Sequence, residues 1–88
     1  MALERSEMND DCFERVRALV AQTFEMDPAE IDAQSSAATI EGWDSLAHLM
    51  VLTAVEKSFG VKLPRLESYT VQNVGELAQL VERTVARR

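Results

Sequence analysis

Residues 42–60, GWDSLAHLMVLTAVEKSFG, contain the clearest structural signal in the chain. Asp44 is a favoured N-cap residue, and Gly60 is the residue type that most often ends a helix in the left-handed conformation. We therefore expect a helix that starts near Asp44-Ser45 and runs to Phe59. At about 100° per residue, one side of this helix is predicted to face the core. That side holds His48, Val51, Leu52, Val55 and Phe59.

A second stripe of the same helix lies outside the predicted core side, so we expect its apolar residues to be exposed. It holds Leu46, Met50, Thr53 and Lys57. Leu46 and Met50 would then form a small apolar patch on the surface. The alternative is a helix phase shifted by one residue, which would bury Met50.

Before this helix, apolar residues recur at helical spacing from about Asp10 to Glu25. The helix should end at Asp27-Pro28, because the residue before proline avoids the helical region. Residues 26–43 then form a long loop with Ile31 and Ile40 as its clear apolar anchors. Loops of this length in compact domains are often functional.

After Gly60, Val61 to Pro64 are predicted to be extended, and Arg65 to Tyr69 to be a loop or one helical turn. Thr70 is predicted to cap a last helix from about Val71 to Ala86, with an apolar face at helical spacing. No alternating strand pattern competes with these helices. The prediction is an all-α bundle of three main helices plus one short helix.

Length and charge limit the function. The 88 residues suffice for one domain, 1–88, in which we expect residues 1–9 to be flexible. The net charge of −6 disfavours nucleic-acid and membrane binding. The single cysteine, Cys12, forms no intramolecular disulfide and no thiolate zinc site, and is expected to act as a small apolar residue. We expect a cytoplasmic monomer with no metal site.

Ser45 lies where the long loop meets a helix N-terminus. Free backbone N–H groups and the helix dipole at such a junction stabilise an anionic phosphodiester. A hydroxyl placed there is also accessible to a modifying enzyme. A plain capping role is the alternative, and a regulatory phosphoserine would suit the same position.

The chain resembles the acyl carrier protein family. The resemblance rests on the long loop after the first helix, the Asp44-Ser45-Leu46 motif, the Phe59-Gly60 to Pro64 segment and Thr70-Val71 before the last helix. It implies that Ser45 carries 4′-phosphopantetheine, which a phosphopantetheinyl transferase transfers from coenzyme A. It also implies that Asp44 and Leu46 flank the modified serine, and that acyl or aminoacyl groups are held as thioesters. Loading enzymes and downstream biosynthetic enzymes would be the partners.

Departures from the family pattern bear on the pathway. Carrier proteins of bacterial fatty-acid biosynthesis resemble this chain but bear several acids along the second helix and after its proline. Here the second helix retains Glu56 as its main acid, and Arg65 follows Pro64. Other corresponding positions hold Ala47, Met50 and Lys57. We therefore expect a carrier for polyketide, lipid or other specialised biosynthesis, with a partner surface that includes Leu46, Met50, Glu56 and Lys57.

Two other functions remain open from the sequence: an aminoacyl or peptidyl carrier of the nonribosomal-peptide type, and an unmodified helical interaction module. A hydrolase is disfavoured, since Asp44 and Ser45 are adjacent and His48 follows within one turn, which is the wrong arrangement for a catalytic triad. No catalytic residue is predicted. His48 is expected to be a partly buried structural histidine, with contact to the arm or cargo as the alternative. Trp43 either closes the loop onto the core or contacts a partner.

Overall fold

The computed structural model describes the backbone of residues 2–87 and the side chains of residues 11–87. Over that range the chain forms four α-helices and no strand. The helices are α1 (Ala2–Phe24), α2 (Ser45–Phe59), α3 (Arg65–Thr70) and α4 (Val74–Arg87), and a single 3₁₀ turn, Pro28–Glu30, lies in the α1–α2 loop. The predicted all-α bundle of three main helices and one short helix is confirmed.

The core lies where α1 packs against α2 and α4. Its fully buried side chains come from all three long helices, and the loop anchors Ile31 and Ile40 are buried with them, as expected. The core residues of the helices include Val16, Val20, Val51, Val55, Leu77 and Val81. Within residues 2–87, none of the helices combines the length and apolar content that a bilayer span requires.

Both ends of α2 are where the sequence places them. The Asp44 side chain accepts a hydrogen bond from the backbone N–H of Ala47 at 2.9 Å, which is the N-cap geometry. Gly60 has φ 69° and ψ 35°, a left-handed conformation that is strained for residues with a Cβ. The predicted helix phase is also correct. Leu46 is 67% exposed and Met50 is 54% exposed, so Met50 is not packed inside.

The start of α1 differs from the prediction. The helix begins at Ala2 instead of near Asp10, because residues 2–8 are dominated by strong helix formers that extend the helix toward the N-terminus. The acidic pair Asp10-Asp11 therefore lies inside the helix and does not mark its first turn. The expectation that residues 1–9 are flexible stays a prediction. Met1 and the side chains of residues 2–10 lie outside the described residues.

The last helix also starts later than predicted. Thr70 ends α3, and its hydroxyl donates to the carbonyl of Glu67 at 3.1 Å, so it does not cap α4. The residue that caps α4 is Asn73, whose Oδ1 accepts from the N–H of Glu76 at 2.8 Å. Glu76 in turn accepts from the N–H of Gln72 at 2.8 Å, which resembles a capping box. The region expected to be a loop or one turn, Arg65 to Tyr69, belongs to α3.

Candidate functional site

Ser45 is the first residue of α2, and it is exposed. The chain approaches it from the buried Ile40, turns at Gly42 with φ 88°, and becomes extended at Asp44. A Cβ built on Gly42 meets no atom within 4 Å, so its glycine is required by backbone conformation and not by lack of space. This turn carries the chain out of the core and presents the Ser45 hydroxyl to solvent.

The loop before Ser45 is attached to the start of α4. The N–H of Val74 donates to the Ser35 carbonyl, and the N–H of Gly75 donates to the Ala33 carbonyl, each at 2.9 Å. First-turn N–H groups have no partner inside their own helix, so these bonds satisfy both α4 and the loop. A Cβ on Gly75 would lie 3.0 Å from Ala33 Cβ and 3.1 Å from Ala33 O. Gly75 therefore allows the close contact that holds the loop.

A groove of about 380 Å³ opens beside Ser45. One wall comes from Ser36 and Ala37 in the loop, the end of the loop and the first turn of α2. The other comes from the end of α3 and the segment before α4. Its aromatic lining residues are Trp43, His48 and Tyr69. A flexible group attached to the Ser45 hydroxyl would have this groove next to its point of attachment. The exposed hydroxyl, the helix N-terminus and the groove fit a phosphodiester-linked arm.

His48 links three parts of the site. Its Nδ1 accepts from Trp43 Nε1 at 3.1 Å, and its Nε2 lies 2.7 Å from the Ser68 carbonyl oxygen. An indole N–H only donates and a carbonyl only accepts, so both contacts are satisfied when the neutral imidazole carries its proton on Nε2. His48 is half-buried, as expected, and it also lines the groove.

Trp43 closes the loop onto the core, which is the first of its two predicted roles. Its ring centroid lies 5.2 Å from that of Phe24 on α1 and 6.0 Å from that of His48. The indole is half-buried and packs against the core cluster. Trp43 thereby fixes the position of the two residues that follow it, Asp44 and Ser45.

These contacts are inconsistent with a Ser–His–Asp triad. Asp44 Oδ1 is bound to the Ala47 N–H, and the imidazole nitrogens of His48 face Trp43 and Ser68. A hydrolase would require the imidazole to contact both the serine hydroxyl and the carboxylate. The structure therefore agrees with the sequence-based argument against a hydrolase.

The four residues predicted for the partner surface differ in their surroundings. Leu46, Met50 and Lys57 are exposed on one side of α2. Glu56 is half-buried, and its Oε2 accepts from the backbone N–H of Leu63 at 2.8 Å. Its carboxylate therefore also holds the α2–α3 link in place.

Sequence reasoning missed three exposed apolar residues near these positions: Leu49, Leu66 and Tyr69. Leu49 lies between the predicted core side and the predicted exposed stripe of α2, which is a position that helical periodicity could have flagged. Leu66 and Tyr69 lie on α3, which is too short to show a periodic pattern.

Comparisons with known proteins agree with this geometry. The family described as "Phosphopantetheine attachment site" matches residues 14–81. The acyl carrier protein AcpXL of Rhizobium etli is 41% identical over 64 residues, which are 73% of this chain and 67% of that protein. The chain belongs to the acyl carrier protein family.

Other relatives of this carrier support the same assignment. An acyl carrier protein of Helicobacter pylori is 29% identical over 70 residues, covering 80% of the chain and 90% of the relative. The solution NMR structure of a holo acyl carrier protein from Geobacter metallireducens superposes with a TM-score of 0.76 at 31% identity, covering 85% of this chain and 86% of that one. As a family member, the chain is a carrier of covalent phosphopantetheine and not an enzyme. A phosphopantetheinyl transferase and partner enzymes act on it.

Proposed function

We propose that Ser45 is the phosphopantetheine attachment residue and that the carrier shuttles acyl groups between biosynthetic enzymes. The observation that supports the proposal most directly is the position of Ser45. Its exposed hydroxyl lies at the start of α2 beside the groove, in a chain of the phosphopantetheine attachment family. When bound, the prosthetic group supplies a terminal thiol that holds acyl groups as thioesters.

The chain itself contributes position and electrostatics. The Asp44 cap holds the backbone of the first turn of α2, so Ser45 has a defined position when a transferase binds. In the transfer, the Ser45 oxygen would lose its proton and bond to the pantetheine-side phosphorus of coenzyme A, with adenosine 3′,5′-bisphosphate as the leaving group. The positive end of the α2 dipole would stabilise the charge of the resulting phosphodiester. Leu46 follows in the same turn and remains exposed for contact with the transferase.

The proposed cargo is acyl, and the proposed pathway is specialised lipid or polyketide biosynthesis. The relatives named above are acyl carrier proteins, which favours an acyl over an aminoacyl cargo. The exposed apolar residues Leu46 and Met50 on α2 favour partners other than those that read a strongly acidic helix. We place the carrier in the cytoplasm, where coenzyme A and acyl-transferring enzymes are available, and expect it to be a monomer.

Intact-protein mass spectrometry tests the attachment residue. The protein is incubated with coenzyme A and a broad-specificity phosphopantetheinyl transferase, alongside Ser45→Ala and Ser36→Ala. Ser36 lines the same groove, so its variant controls for a nonspecific effect of removing a hydroxyl there. We expect a gain of one phosphopantetheine on the native chain and on Ser36→Ala, and no gain on Ser45→Ala.

A gain in mass that persists in Ser45→Ala would show that phosphopantetheine is attached to another residue. No gain on any variant, under conditions that modify a control carrier, would contradict the proposal. Loading assays on the modified protein, with acyl-activating and amino-acid-adenylating enzymes in parallel, then separate the acyl from the aminoacyl cargo.

A further inference from the structure

Five large apolar side chains are exposed on α2 and α3, and we call them the apolar docking face. The most exposed are Leu66 at 83% and Leu46 at 67%. The complete set is Leu46, Leu49, Met50, Leu66 and Tyr69. Single exposed apolar residues are normal on protein surfaces, whereas a contiguous group indicates a contact site.

The five residues lie on neighbouring parts of one surface, because the His48 side chain of α2 reaches α3. The hydrogen-bonding contact between His48 and the Ser68 carbonyl joins the two helices, and the His48 and Tyr69 rings are 6.0 Å apart. Glu56 of α2 accepts from the Leu63 N–H in the link to α3, and Leu49 lies two turns before Glu56 on the same side of α2. Leu49 therefore lies on the α3 side of the exposed part of α2. Leu66 and Tyr69 are three residues apart and share a side of α3.

The far end of this face is basic. Lys57 lies on the same stripe of α2 as Leu46 and Met50, close to the C-terminus of the helix. Arg65 lies four residues before Tyr69 and so occupies the edge of α3 that faces α2. Lys57 and Arg65 are exposed, and so is Lys62 in the linker between the helices.

The nearby carboxylates do not cancel this charge on the docking face. Glu56 is half-buried, and its carboxylate accepts from the Leu63 N–H. Glu67 is directed to the other edge of α3, where it lies 3.4 Å from Arg83 of α4. The face thus changes along α2 from apolar near Ser45 to basic near Phe59.

We propose that the partner enzyme of this carrier presents an apolar patch beside its active-site entrance and an acidic cluster farther away. The spacing follows from α2, since Lys57 lies twelve residues beyond Ser45 and therefore about 18 Å along the helix axis. The apolar patch covers Leu46, Met50 and Leu66, and the acidic cluster pairs with Lys57 and Arg65. This inference rests on the proposed attachment at Ser45 and adds the chemistry of the surface that reads it.

A protein partner fits the face better than a lipid surface does. The basic residues of the face could attract anionic lipid, but the whole chain has a net charge of −6, which repels an anionic membrane. If two copies of the chain bound each other through the basic ends of their docking faces, Lys57 and Arg65 of one copy would lie against positive charges of the other. An enzyme with acidic groups opposite Lys57 and Arg65 avoids both the like-charge contact of a second copy and the repulsion from an anionic membrane.

The test begins with the full-length holo-protein carrying the photo-crosslinker p-benzoylphenylalanine in place of Leu66. Irradiation in a lysate of the source organism captures the partner, which is identified, purified and used in association measurements. The association rate constant is then measured for the native holo-protein, Lys57→Glu, Arg65→Glu and Arg87→Glu. Arg87 is an exposed residue of α4, which contributes none of the five face residues, so its variant has the same change in net charge outside the docking face.

We expect Lys57→Glu and Arg65→Glu to slow association by about 3- to 10-fold at low salt, with a smaller effect at high salt. Arg87→Glu should stay within about 2-fold of the native rate constant, since it lies outside the face. A Leu66→Ser variant should mainly accelerate dissociation, because it removes apolar contact and leaves the charge unchanged. Together these results would support an apolar patch and an acidic cluster on the partner.

Several results would overturn the inference. Faster association of Lys57→Glu and Arg65→Glu would indicate a basic partner, and unchanged rates would remove the basic end from the interface. Capture of a second copy alone, or of no protein, would also contradict it. So would binding of the native protein to phosphatidylglycerol vesicles that Lys57→Glu abolishes. The intact mass of each sample shows whether Ser45 carries the arm, so failure of the proposed attachment is distinguishable from failure of the docking proposal.

Discussion

Trp43 donates a hydrogen bond from its indole Nε1 to Nδ1 of His48 at 3.1 Å. Through this bond the residue just before the Asp44 cap is joined to the first turn of α2. The imidazole continues the connection to α3 through the Ser68 carbonyl at 2.7 Å. The loop end, α2 and α3 are thus held in one arrangement by a single side chain, and the groove beside Ser45 depends on that arrangement.

We predict that Trp43→Phe lowers the free energy of unfolding by about 1 kcal/mol, because it removes one hydrogen bond and keeps an aromatic ring near Phe24. Urea unfolding followed by circular dichroism measures the change. Long-range ¹H–¹⁵N NMR of the native protein should show that the uncharged imidazole of His48 carries its proton on Nε2. An Nδ1–H tautomer would contradict the bonding described for this residue.

Asp44→Ala should destabilise the protein by about 1 kcal/mol through loss of the α2 N-cap. Asp44→Asn is the matched control, because asparagine caps helices about as well and removes only the charge. The comparison of urea midpoints separates the two effects. An Ala variant as stable as the native protein would show that the bond to the Ala47 N–H contributes nothing.

The same pair of variants also bears on modification. If the Asp44 carboxylate contacts the transferase, Asp44→Asn should be stable and slow to acquire phosphopantetheine. Equal modification rates for Asp44→Asn and the native chain would limit Asp44 to its capping role. Intact-protein mass spectrometry over a time course measures both rates.

Gly75→Ala is expected to destabilise the protein by about 1–3 kcal/mol, although an alanine normally strengthens a helix. The added Cβ would lie 3.0 Å from Ala33 Cβ and 3.1 Å from Ala33 O, and the Ala33 carbonyl is already bound to the Gly75 N–H. The loop cannot withdraw without losing that bond. Thermal or urea unfolding measures the change.

A double variant tests the cause of that loss. Ala33→Gly combined with Gly75→Ala removes the contact between the two Cβ atoms and leaves the contact with the carbonyl oxygen. It should therefore recover part of the lost stability relative to the sum of the single variants. A stabilised Gly75→Ala would show that the α4 start and the loop separate readily.

Burial raises the pKa of the Cys12 thiol, and the nearby Glu82 carboxylate raises it further. Cys12 is therefore protonated at neutral pH, and its alkylation by iodoacetamide should begin at higher pH than that of a free cysteine. Glu82→Gln should shift the pH profile of this reaction downward. Glu76→Gln, another substitution on α4, should leave it unchanged. A profile that matches free cysteine in the native protein would contradict the burial of the thiol.

The same shift predicts a pH dependence of stability. A folded-state pKa raised above the ordinary value of 9.0 stabilises the folded protein while the thiol is protonated. This contribution is complete below pH 9.0 and declines as the pH rises through the folded-state pKa. Cys12→Ala removes it. The difference in unfolding free energy between the native protein and this variant should therefore shrink above pH 9.0.

The sequence predicted α2 well because both of its ends carry local signals. Asp44 and Gly60 determine their own backbone conformations, and the apolar pattern between them has a single consistent phase. The start of α4 was harder, since Thr70 and Asn73 are both good caps and only the packing of α3 selects between them. The early start of α1 depends on helix propensity alone, which carries no sharp boundary.

In the candidate site, too, the residues with local sequence signals were predictable and those that depend on tertiary packing were not. Ser45 and its flanking residues are adjacent in the chain, so a local motif was enough to single them out. The contact between His48 and Ser68 joins residues twenty positions apart, and it depends on where the fold places α3 relative to α2. The exposed apolar residues of α3 were missed for the same reason, because six residues carry no periodic signal.

The hydrogen bonds from Val74 and Gly75 to the Ser35 and Ala33 carbonyls limit how far the backbone around Ser45 can move. They attach the long loop to α4, while the Asp44 cap fixes the point where that loop enters α2. The polypeptide around Ser45 is thus anchored on both sides and cannot extend toward a distant active site. While the carrier is docked on a partner, the length of the arm proposed on Ser45 would limit how far the cargo reaches. With the arm on Ser45, each partner would have to place its catalytic centre within one arm's length of the start of α2.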